Sequence, residues 1–161
     1  MVEMVILRNL DEQFAQLHRR SIMLARSIPA EKIYWQPRQA AGAFPVYSCG
    51  EYILRGAAVV EQTFGGITVN LWDDPFEWTL PESLSTLELV VGYLGEVEAT
   101  RQRGFAFFKT DADLLKEIAV PSGAMRTLFQ LLAETLVRAA HHQGQAFAIF
   151  RLFSDAHLPP I

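Results

Sequence analysis

The sequence predicts an all-α fold. Apolar residues recur at three- and four-residue spacing over long segments, helix-capping patterns stand before those segments, and few β-branched runs and no repeats interrupt them. Leu10, Phe14, Leu17, Leu24 and Ile28 mark a first helix over 10–28, with Asn9 and Glu12 spaced as an N-cap and its partner. Pro29, and the stretch from Tyr34 through Pro37 to Pro45, end that periodicity and predict a long surface connection, because proline lacks an amide and restrains its predecessor. Ser48 with Glu51 forms a capping box for a second helix over 49–65, for which Gly65-Gly66 reads as the stop.

From Thr68 to Ser83, Pro75 and Pro81 argue against helix, and Trp72 and Trp78 suggest a loop folded down onto the helices; Trp35 has the same anchoring character. Ser85 and Glu88 cap a third helix over 86–109, with apolar residues at 87, 90, 91, 94, 97, 105 and 108. Thr110 and Asp113 cap a short helix, Leu114 to Ile118, which Pro121 stops. The last helix spans 123–153, with Met125, Leu132, Leu136, Ala139 and Phe150 as its core stripe, and Pro159-Pro160 closes the chain. No significant sheet is expected.

With 161 residues, half of them hydrophobic, the chain is long enough for one substantial core and is expected to form a single domain over 1–161. A net charge of −4 without a basic stripe excludes nucleic acid as a partner. Apolar runs such as Leu87 to Leu94 fall short of the roughly 20 residues a spanning helix needs, so no membrane partner is expected. Cys49 is the lone cysteine, and the opening Met-Val-Glu-Met has neither the cationic flank nor the apolar run of a signal peptide; the expected location is cytoplasmic. Phosphate-cradling glycine loops, a nucleophile elbow and paired-cysteine zinc motifs do not occur.

Four pieces then stand in a particular order: Ile28 to Pro37 after the first helix, Ser48-Cys49-Gly50-Glu51 opening the second, His141-His142-Gln143-Gly144-Gln145 in the fourth, and the tail Phe150-Arg151-Leu152 to Leu158-Pro159-Pro160. In that order the chain resembles the DinB-like (DinB/YfiT-type) metalloenzyme family, a resemblance covering nearly all of it. The family includes thiol-dependent transferases and isomerases. The resemblance implies an up-down-down-up four-helix bundle, a divalent metal held by three histidines, and a homodimer.

In the family pattern one ligand histidine lies in the second helix, and two more lie four residues apart in the fourth. Here those positions are Arg55, Arg138 and His142. A guanidinium stays protonated and has no lone pair to give a cation, so the three-histidine site cannot form and no metal cofactor is expected. At about 100° per residue Arg138 and His142 share one flank of the helix while His141 points to solvent. Two cations beside a histidine suggest an anion-receptive pocket with Arg55, Arg138 and His142 as ligand-binding residues. The favoured expectation is a noncatalytic protein binding a small anionic molecule or acting in an interaction. The alternative is a transferase or hydrolase on a small thiol-bearing or anionic substrate, with His142 as catalytic acid or base.

A plainer account is open for each residue. Glu51 and Glu134 stand four residues before Arg55 and Arg138, the order of ordinary surface ion pairs. His18 and His157 read as surface or loop residues and Cys49 as a small buried one. Asp73-Asp74, Glu96 and Glu98 read as solvated.

Overall fold

The computed structural model describes residues 4–37 and 45–160. The middle of the expected first connection, residues 38–44, lies outside them. The chain is mostly helical, with four long helices and one small two-stranded sheet among the described residues.

Helix α1 spans Val5–Ser27 and buries Leu7, Phe14, Leu24 and Ala25. It begins five residues before the expected start, and Asn9 is no cap: its Nδ2 donates to the Val5 carbonyl at 2.7 Å, inside the helix. The cap comes from far along the chain, where Asp111 Oδ2 and Oδ1 accept from the amides of Ile6 (3.0 Å) and Leu7 (2.9 Å). A carboxylate on orphan amides at the positive end of a helix dipole is the favourable arrangement.

Helix α2 spans Cys49–Val69 and opens on the expected capping box, with Ser48 Oγ accepting from Glu51 N (3.2 Å) and Glu51 Oε2 from Ser48 N (2.8 Å). It runs past Gly65-Gly66, which are not a stop. Termination falls on Asn70, at φ 55° in the left-handed region, where the Asn70 amide bonds to Gly66 O and the Leu71 amide to Gly65 O. The two glycines are there for space: a Cβ on Gly66 would fall closer than 3.0 Å to the Trp72 ring, and one on Gly65 would lie 2.9 Å from Leu71 O.

Helix α3 spans Leu87–Phe105, capped by Thr86, whose hydroxyl accepts from Leu89 N (3.3 Å), rather than by Ser85. It ends four residues early, and Thr110 and Asp113 cap a 3-10 turn over Asp111–Leu115 instead of a helix over 114–118. The next departure is the sheet. Strands β1 (Glu117–Ala119) and β2 (Met125–Thr127) pair antiparallel, Ile118 opposite Arg126, across a tight loop in which Gly123 adopts φ +81°. Pro121 supplies a fixed φ and Gly123 the positive φ such a loop requires. Helix α4 therefore starts at Leu128, not 123, and ends at Phe150, with Thr127 and Gln130 forming its capping box. Met125, expected in its core stripe, lies in β2 and is exposed.

Helix α2 packs mainly on α4 and α3, and α1 packs on α3 and α4. One continuous apolar cluster draws on all four, with Phe14, Phe64, Phe150 and Leu132 among its most buried members. No described helix is long and apolar enough to cross a membrane.

Candidate functional site

At Gly56 α2 lies close against α4: a Cβ there would sit 3.4 Å from Ala139 O and 3.6 Å from His142 Cβ. Beside this crossing a cleft of about 130 Å³ opens, walled by Arg55 and Gln62 of α2, Arg138 and His142 of α4, and Asp74 and Thr79 of the α2–α3 connection. Spacing of four puts Arg138 and His142 on one face of α4. The structure thus brings all three sequence-predicted residues to one cleft. Its described lining holds two guanidinium groups against one carboxylate, Asp74.

Arg55 lies over an aromatic face, its Cζ 3.9 Å from the Tyr47 ring centroid, in cation–π range. Tyr47 is braced edge-on by Tyr52, with centroids 5.6 Å apart, and Tyr52 neighbours His142 at 6.5 Å. The glutamates of the plainer account are engaged elsewhere. Glu51 Oε2 holds the Ser48 amide and hydroxyl, and Glu134 pairs with Arg126 at 3.1 Å.

His142 Nδ1 is buried and has no hydrogen-bond partner. An unmade hydrogen bond at a buried nitrogen costs about 1–3 kcal/mol, which makes this atom conspicuous. Burial, and then the positive charge of His141, Arg55 and Arg138, push the His142 pKa below its ordinary value. The imidazole is accordingly neutral at pH 7. His141 is exposed, as the helical geometry requires.

As a divalent-cation centre the three positions do not fit. They offer one imidazole, and among the described residues no group of three His, Cys, Asp or Glu side chains is placed to hold a metal ion.

Asp74, read from the sequence as solvated, is exposed yet lines the cleft. No sequence signal placed it there, because the α2–α3 connection is not periodic. His18 is also not simply on the surface. It is half-buried beside a small hollow of about 40 Å³ that Arg101, Glu98 and Gln143 also line, and desolvation lowers its pKa while Glu98 opposes the shift. His157 is exposed. Trp35 and Trp72 are partly buried against the core, whereas Trp78 is exposed.

Cys49 is fully buried, its thiol donating to Ala146 O at 3.2 Å, and desolvation pushes its pKa up to about 12. The thiolate is the reactive form, so Cys49 should be inert toward a disulfide reagent at pH 8 until the chain unfolds. Stopped-flow labelling checks this: a fast native-state phase would contradict it.

Compared with known protein families, curated proteins and solved structures, the chain matches none of them.

Proposed function

We propose that this chain is a DinB-like four-helix bundle with an up-down-down-up course, and that it binds a small anion without catalysis at Arg55, Arg138 and His142. Four long helices sharing one apolar cluster support the bundle. The observation that carries the binding reading is the convergence on one cleft of two guanidinium groups and His142, a residue whose buried Nδ1 has no hydrogen-bond partner. An anion there accepts charge-assisted hydrogen bonds from the arginines and a further bond from the imidazole. One observation also favours the catalytic alternative, since a neutral imidazole at pH 7 can accept a proton from a thiol-bearing or anionic substrate. Both readings share the same three residues.

Proton linkage gives the test. The depressed folded pKa of His142 means that, as pH falls below its ordinary 6.5, the unfolded chain takes up the proton first and stability declines. A bound anion favours the imidazolium and raises that pKa, so anion affinity should grow as pH falls through this window. Nuclear magnetic resonance titration of the His142 ring with inorganic phosphate should show the pKa rising on binding. Replacing both Arg55 and Arg138 by glutamine should weaken binding by more than roughly tenfold, since each charge-assisted bond contributes about 1.5–3 kcal/mol. A His142 pKa indifferent to millimolar phosphate would overturn the proposal.

A further inference from the structure

The cleft at His142 does not end at Arg138. Gln62 and Arg138 also wall a second hollow of about 250 Å³, and Trp72, Val120 and Pro121 wall both that hollow and a third of about 510 Å³. The three hollows adjoin through these shared walls, from His142 past α4 and α2 to the β1–β2 hairpin, and are taken together as one groove. The stretch of α4 from His142 to Leu131 alone covers about 16 Å at a rise of about 1.5 Å per residue.

The chemistry of the walls changes along that length. At the His142 end stand Arg55 and Arg138. In the middle, the Arg126 guanidinium is matched by Glu134 at 3.1 Å, and the buried hydroxyls of Thr63 and Thr135 bond to each other at 2.7 Å. The middle therefore offers a ligand little unmet charge. At the far end Val120 and Pro121 face the groove with Asn70 and Asp73, whose carboxylate disfavours a second negative charge there, beside Trp72, whose position is fixed three ways. Its ring rests in the gap left by Gly66, its Nε1 donates to Asn70 Oδ1 (3.1 Å), and its carbonyl accepts from Gln62 Nε2 (3.0 Å). A half-buried aromatic held this firmly adds contact area at little entropic cost.

We infer that the ligand is bipartite: an anionic head at Arg55, Arg138 and His142, joined to an uncharged aromatic or aliphatic tail lying along the groove against Trp72 and the hairpin. The inference rests on the anion-binding reading for its head and on the continuity and polarity of the groove for its tail.

Inorganic phosphate, phenyl phosphate and 8-phenyloctyl phosphate, titrated calorimetrically and by nuclear magnetic resonance, separate the two. The expected order is a gain of roughly tenfold or more in affinity from inorganic phosphate to 8-phenyloctyl phosphate, with phenyl phosphate, too short to reach the hairpin, close to inorganic phosphate. The Trp72 indole resonance should move with the long-tailed probe and stay still with inorganic phosphate, a readout that needs no variant. Trp72→Ala should collapse the ratio between the two affinities. If all three probes move His142 equally and none moves Trp72, the tail is wrong and the anion site stands. If none moves His142, the anion reading fails and the bipartite ligand fails with it.

Discussion

Arg101→Ala is expected to destabilise the protein by about 3 kcal/mol, measured as a shift of the urea midpoint at unchanged slope. Arg101 is only 3% exposed, continuing a buried helix face made of Val90, Leu94 and Val97. Its guanidinium is held by both oxygens of Glu98, at 2.7 and 2.8 Å, and by Asp11 across on α1. Removing one member of a buried ion network leaves its partners' charge in low dielectric, which costs about 3–5 kcal/mol. The lower end applies because Asp11 is half exposed and can turn to water, whereas Glu98 cannot. The double variant Glu98→Gln with Arg101→Met should recover much of the loss, since it deletes the charges together. Burial alone would push the Glu98 pKa up, but the hydrogen bonds and charge of Arg101 outweigh it and hold the group below its ordinary 4.5. Stability from this pair is therefore present above that value and fades as pH falls through the lowered pKa; in Arg101→Ala that fading should disappear. A loss under about 1 kcal/mol would show that the network is solvated and worth no more than a surface pair.

The second large effect is a change of sign within one helix. In α3, Gly95 is exposed with nothing near a Cβ placed on it, while a Cβ on Gly104 would fall within 3.0 Å of Cδ1 and Cε1 of Phe64. Phe64 is fully buried, edge-on to Phe14 at 5.5 Å and against Phe105 at 5.4 Å, so its ring has nowhere to go. Alanine in place of an interior helical glycine stabilises by up to about 1 kcal/mol through propensity, whereas overpacking a tight core costs about 1–3 kcal/mol. Gly95→Ala should thus gain about 0.5–1 kcal/mol and Gly104→Ala should lose about 1–2 kcal/mol. Thermal melts of the two variants test this directly; equal shifts would mean that Phe64 yields freely.

What could be read in the sequence was what is local. The boxes at Ser48 with Glu51 and at Thr110 with Asp113 are contacts across one turn, and both form as their spacing requires. Asn9 misled because the true cap of α1 arrives from Asp111, which no window around residue 9 contains. The strands were missed because three-residue strands carry no periodicity, although Pro121, Gly123 and the box Thr127 to Gln130 together spell a tight loop followed by a helix start. Gly65-Gly66 look like punctuation in one dimension and prove to be a gap for Trp72 in three. At the site, spacing of four placed Arg138 with His142, and helix α2 brought Arg55 to them. Trp72 was legible as a loop anchor and does pack against the core, whereas Asp74, on the same aperiodic connection, carried no signal of its place in the cleft. Arg101 could have been found, for it continues the stripe of Val90, Leu94 and Val97, where a charge demands partners.

The bonds from Asp111 to the start of α1 also bear on the order of events during synthesis. Helix α1 leaves the ribosome before the other three helices, yet the hydrogen bonds that close its first turn wait for a residue more than a hundred positions later. Its apolar face lacks α3 for most of that interval and still lacks α4 when Asp111 is made, and these are the helices it packs against. An isolated helix of this length, without its cap or its neighbours, is only marginally formed in water. Helix α1 is therefore a late recruit to the structure, and its opening amides should exchange with solvent together with the turn at Asp111–Leu115, as one cooperative unit joined across more than a hundred positions.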